Sequence, residues 1–309
     1  MKPTESKSSG KTSRAALLWC RKNPLEVAVL TFLVTLLALS LGSSVFTALF
    51  PAPMENAESL AAALFSALLC SAVVSVPLIS TRKKRVAELR PSAALIAVLC
   101  LVLSAVGYLV VLYLMYNEQG NPLLVLMGNN SAEIAEEAIR QFTPLTGVSR
   151  ILAFLIVCLA TAYYEEALFR VLLHRGVEEV ICQRSSTCTR PTFYAALAVS
   201  ALFGLLHVTG VSYSLSNEQV IIQTVLKFLQ GMLFGLIMTG LLKRSGSFVF
   251  IAGLHACYDL LLFFPYALSF GVFPLSYCTD SVSATAALAV SVTLLVPAAV
   301  GAIRSLHRG

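Results

Sequence analysis

The 309-residue chain is 57% hydrophobic and 12% charged, with a mean hydropathy of +0.81, which excludes an ordinary soluble domain and indicates a polytopic membrane protein. Its net charge of +6 is not the footprint of a nucleic-acid partner, because the Lys and Arg residues sit in short loops that alternate along the chain and report topology instead. The eight Cys are scattered and suggest no disulfide framework.

Residues 1–26 are polar and basic, and read as a cytoplasmic tail beside anionic headgroups rather than a cleaved signal. Apolar runs long enough to cross a hydrocarbon core of roughly 30 Å follow. They occupy about 27–50, 58–80, 92–116, 149–172, 192–212, 219–242, 247–267 and 283–303. The expectation is therefore an all-α fold of about eight transmembrane helices. Lys2, Lys7, Lys11, Arg14, Arg21 and Lys22 precede the first span, and Arg82, Lys83, Lys84, Arg85 and Arg90 follow the second. Lys243 and Arg244 follow the sixth, and Arg304 and Arg308 the eighth. With eight spans all of these share one side, so both termini are expected in the cytoplasm of a bacterial plasma membrane.

Residues 27–148 form a three-span scaffold with an exterior loop. In that loop Ser131 caps a short surface helix, Asn129-Asn130-Ser131 forms a sequon, and beyond it Cys278 is the exterior thiol. Residues 149–309 hold five spans. Between the fourth and fifth, His174 to Arg190 reads as a polar loop whose Cys182 and Cys188 lack structural-zinc spacing. Gly231 and Gly235 in the sixth span form a small-xxx-small pair suited to close helix contact, and the eighth span reads as structural.

The chemistry concentrates in 149–267. Glu165, Glu166 and Arg170 lie in the fourth span, His207 in the fifth, and His255 with Asp259 in the seventh; other charged residues are expected at span edges. An ionised group in the bilayer costs at least a few kcal/mol, so these six are expected to face one shared pocket. Glu166 and Arg170, four apart, can pair along one helix face, whereas Glu165, about 100° round an ideal helix, must find a partner on another helix. No nucleophile elbow and no HExxH pair is present, and carboxylates with imidazoles suit general-base activation of water with a polar group receiving the oxyanion.

The stretches Glu165-Glu166-Ala-Leu-Phe-Arg170, Phe203-Gly-Leu-Leu-His207 and His255-Ala-Cys-Tyr-Asp259 resemble, in order and spacing, the EExxxR, FxxxH and HxxxN/D motifs of the CPBP family. These are the CAAX-protease and bacteriocin-processing intramembrane endopeptidases, also called Abi. The resemblance covers about 149–267 and implies an eight-helix fold and cleavage of a membrane-associated protein or peptide by a glutamate-activated water. It implies Glu165 as the base, His207 as its assistant, His255 and Asp259 on the oxyanion side, and Glu166 with Arg170 holding the fourth helix in register. Because no recognised zinc spacing is present, no metal is expected, and no cofactor is expected either. Asp259 stands where type II CAAX prenyl proteases have Asn. Three other functions use the same residues: a zinc-dependent intramembrane protease, a proton-coupled transporter, and a non-enzymatic scaffold or bacteriocin-immunity protein. The oligomeric state is not encoded in any of these features.

Overall fold

The computed structural model describes residues 19–20, 22–49, 60–81, 90–119, 147–185, 188–209, 218–270 and 282–307. Most of the basic tail, the surface helix and sequon near Ser131, and Cys278 lie outside them. Helices occupy every expected span: α1 Pro24–Leu49, α2 Leu60–Thr81, α3 Pro91–Gln119, α4 Gly147–Glu165, a π-helix Glu166–Leu173, α5 His174–Arg184, α6 Pro191–Leu206, α7 Glu218–Ser245, α8 Phe248–Phe270 and α9 Val282–His307. Among the described residues, six helical stretches are long and apolar enough to cross a membrane, and α6 and the Phe248–Phe264 part of α8 are shorter apolar helices. The protein is an all-α, polytopic integral membrane protein. Leu30, Leu33 and Leu37 of α1, Leu95 and Ile96 of α3 and Leu152 and Leu159 of α4 face outward, as lipid-facing side chains do.

Without a hydrophobic force between helices in lipid, packing depends on close approach of small residues. A methyl group on Gly204 of α6 would lie 2.5 Å from the Phe228 carbonyl oxygen of α7, and one on Gly231 would lie 2.9 Å from Gly204 Cα. Gly235 meets Ser200 in the same way, so the expected small-residue seam joins α6 to α7. The α9 helix is more than inert packing: Ser291 and Ser104 of α3 share a hydrogen bond of 2.6 Å between their hydroxyls.

Residues 174–184 are not a loop. They continue the fourth span as α5, giving one helical stretch from Ile151 to Arg184 of 34 residues, about 51 Å long against a hydrocarbon core of about 30 Å. Tertiary contacts hold this extension. Gly176 packs on the backbone of Pro24 and Leu25, His174 Nε2 lies 3.2 Å from the Thr192 carbonyl, and the Thr192 hydroxyl donates to Glu178. Arg244 donates to the Gly301 carbonyl at 2.9 Å, and the rings of Phe193 and His307 sit 4.2 Å apart. The start of α1, α5, the start of α6 and the ends of α7 and α9 thus gather at one end of the bundle, the end that carries the basic residues.

Candidate active site

The fourth span leaves α-geometry at the point where its acids begin. From Glu166 to Leu173 the helix is π, closed at its end by the His174 N–H donating to the Phe169 carbonyl, five residues back. Such wide turns are rare and cluster at functional sites. The wider turn changes where successive side chains point, and two adjacent glutamates reach opposite edges of one imidazole. Glu166 Oε1 accepts from His255 Nδ1 at 2.8 Å, and Glu165 Oε2 lies 3.6 Å from His255 Nε2. Asp259, one turn beyond His255 on α8, places Oδ2 3.5 Å from the same Nε2. The last two distances are longer than direct hydrogen bonds, so both acids lie beside Nε2 as charged neighbours rather than as hydrogen-bond acceptors from it.

Behind this group lies the ion pair foreseen in the sequence. Arg170 Nε is 3.3 Å from Glu166 Oε2, with both side chains wholly buried. The guanidinium carbon sits 4.3 Å from the Phe203 ring centroid, so the aromatic face of the FxxxH stretch receives the cation. Glu166 therefore has two partners, Arg170 and His255, and the second was not legible from its own helix.

His207 follows the last residue of α6. The sixteen residues of α6 span about 24 Å, less than the hydrocarbon thickness, so the end of this helix falls at membrane depth rather than at the far surface. His207 Nδ1 donates to the Phe203 carbonyl at 2.8 Å, which leaves Nε2 as the ring atom for a water or substrate. It joins the same cavity without a hydrogen bond to Glu165, His255 or Asp259.

That cavity, about 550 Å³, is walled on one side by Phe32, Leu36 and Leu39 of α1 and Ala62 and Ser66 of α2. The other side presents Glu165, His207, His255 and Asp259. Glu166 and Arg170 are absent from the lining and act from behind it. Glu165 Oε2 is buried and accepts no hydrogen bond from the described residues; Oε1 receives the Tyr164 hydroxyl at 3.4 Å. Among the described residues no three His, Cys, Asp or Glu side chains are arranged to hold a metal ion.

One charged group was misplaced by the sequence reading. Lys227 is not at a span edge: it is 5% exposed, in the body of α7, and lines the cavity. Its Nζ donates to Gln230 Oε1 at 3.0 Å, and Gln230 Nε2 donates to Ser291 Oγ at 2.6 Å and to the Tyr258 hydroxyl at 3.3 Å. Gln223, one turn before Lys227, donates to Thr285 of α9 at 2.9 Å. The polar residues 223, 227 and 230 recur at helical spacing along an otherwise apolar span, and that stripe was the available signal.

No curated protein and no solved structure matches the chain. Residues 147–261, which carry Glu165, Glu166, Arg170, His207, His255 and Asp259 as well as Lys227, match the family model described as Type II CAAX prenyl endopeptidase Rce1-like.

Proposed function

We propose that the protein is an intramembrane endopeptidase that hydrolyses a peptide bond of a membrane-associated substrate through water activated by Glu165. The observation that carries this reading is the pairing pattern around His255: Glu166 is committed to Arg170 and to His255 Nδ1, while Glu165 lines the cavity and its Oε2, 3.6 Å from His255 Nε2, accepts no hydrogen bond from any described group. The match to the Rce1-like model supports the same reaction class.

In this mechanism Glu165 takes a proton from a water held between its carboxylate, His255 Nε2 and Asp259. The hydroxide adds to the scissile carbonyl, and the oxyanion is met by hydrogen-bond donors on the His255 and Asp259 side. Collapse breaks the C–N bond as Glu165 returns the proton to the leaving nitrogen. Glu166 and Arg170 fix the imidazole, with Nδ1–H directed at Glu166, and His207 Nε2 steadies water or substrate. The apolar α1 and α2 wall excludes bulk water, which strengthens each of these interactions. We further propose that the basic end of the bundle is cytoplasmic, by the excess of Lys and Arg there; labelling of Cys182 by an impermeant thiol reagent from outside the cell would overturn that orientation.

The test is the Glu165→Gln variant in native membranes, assayed for peptide hydrolysis and for co-purifying substrate. Loss of turnover with retained fold and with trapped substrate is expected. An active Glu165→Gln enzyme refutes Glu165 as the base.

A further inference from the structure

The placement of Lys227 demands a reason that the hydrolytic machinery does not supply. A lysine in a bilayer helix ordinarily extends its four-carbon stem toward the headgroups. Here the ammonium is drawn inward and aimed. Gln230 turns its carbonyl oxygen to Lys227, which can only donate, and its NH2 group to the hydroxyls of Ser291 and Tyr258, with Ser291 held in turn by Ser104. Helices α3, α7, α8 and α9 all contribute to holding one cation in place. Lys227 is the only Lys or Arg among the described residues that line the cavity, whose wall otherwise combines apolar side chains with Glu165, Asp259 and two histidines. Its charge is within electrostatic reach of both Asp259 and His207.

A cavity with an apolar wall removes the hydration of any charged group that enters it. A fixed ammonium offsets that loss for an anion and offers nothing to a neutral or cationic group. An ammonium has three donors, so it can hold Gln230 and a substrate oxygen together. We propose that Lys227 determines specificity in this cavity by binding a carboxylate of the peptide substrate. The proposal rests on the endopeptidase reading and extends it to substrate class. A peptide carries carboxylates in two places, its C-terminus and its Asp or Glu side chains, and the experiment separates them.

Quenched fluorescent peptides of mixed sequence are prepared as two matched pairs: free C-terminal acid against C-terminal amide, and internal Glu against internal Gln. Hydrolysis is followed with the wild type, Lys227→Met and Lys227→Arg in lipid nanodiscs, and binding of the same peptides is read by fluorescence anisotropy. The wild type should favour the carboxylate member of one pair by about 10- to 100-fold in kcat/KM, the range of one hydrogen bond to a charged group. Lys227→Met should treat both members alike, and Lys227→Arg should keep the preference. The pair that discriminates identifies the C-terminus or the side chain. Equal use of both members of both pairs by the wild type, an undiminished preference in Lys227→Met, or a uniform loss on every peptide overturns the proposal. Should Lys227→Met not fold, Lys227→Gln, which keeps a polar group for Gln230 without the charge, replaces it, and an undiminished preference in that variant overturns the proposal. If nothing is hydrolysed, the endopeptidase reading fails, while the anisotropy still decides whether carboxylates are selected; absence of that selectivity in binding overturns the role of Lys227.

Discussion

Replacing Arg170 by Met tests the wall behind the site, because it removes a charge and leaves bulk. Glu166 is 0% exposed and Arg170 is 2% exposed, so neither can recover water when its partner is lost. Breaking a buried pair by deleting one member costs about 3–5 kcal/mol, a large share of the roughly 5–15 kcal/mol that holds a typical domain folded. The guanidinium over Phe203 adds up to about 2 kcal/mol in a desolvated setting. Against these, Glu166 keeps its 2.8 Å bond from His255 Nδ1, so part of its charge remains solvated by the protein. A net loss of about 3–5 kcal/mol follows, with little cavity contribution since Met approximates the volume. Glu166→Gln alone strands the guanidinium and should cost a similar amount. The double variant, Glu166→Gln with Arg170→Met, leaves no buried charge in the pair and should cost less than either single change. The assay is reversible unfolding in detergent mixtures, with hydrolysis measured alongside. A loss below about 1 kcal/mol for Arg170→Met, or two single losses that simply add in the double variant, refutes the pairing as a structural necessity.

Three other outcomes follow from the same geometry. Asp259→Asn keeps a donor beside His255 Nε2 and should retain most of the activity, while Asp259→Leu should lose about 2–4 kcal/mol of transition-state stabilisation; equal inactivity of the two folded variants would make Asp259 a charged partner of His255 instead. Gly204→Val should separate α6 from α7, since even a Cβ there lies 2.5 Å from the Phe228 carbonyl oxygen, and a melting temperature equal to that of the parent would disprove the close contact. Hydrolysis by chelator-treated protein should persist; stoichiometric zinc whose removal and return switch activity off and on would favour the zinc-dependent reading.

The fold class was legible in the sequence because a bilayer leaves the backbone so few options: each apolar run of about 20 residues must satisfy its own hydrogen bonds as a helix. The candidate site was legible for a related reason. Glu165, Glu166, Arg170, His207, His255 and Asp259 are expensive in hydrocarbon, and their shared need for polar neighbours predicts that they meet before any contact is seen. Gly231 and Gly235 announced a close helix seam, though not that Gly204 and Ser200 would be its other side. What the tertiary structure alone decided is how the charges are divided. An ideal α-helix would have turned Glu165 well away from Glu166, yet the π-turn and the approach of α8 set the two acids on opposite edges of His255. The extension of the fourth span into α5 depended on Gly176 finding Pro24 and Leu25, a contact with no local signature. Lys227 lay in plain view within an apolar span, but its inward course depends on Gln230, and the orientation of Gln230 depends on Ser104, Tyr258 and Ser291 from three other helices. Hydropathy can state what a buried charge costs; only the packing of distant segments determines which partner offsets it.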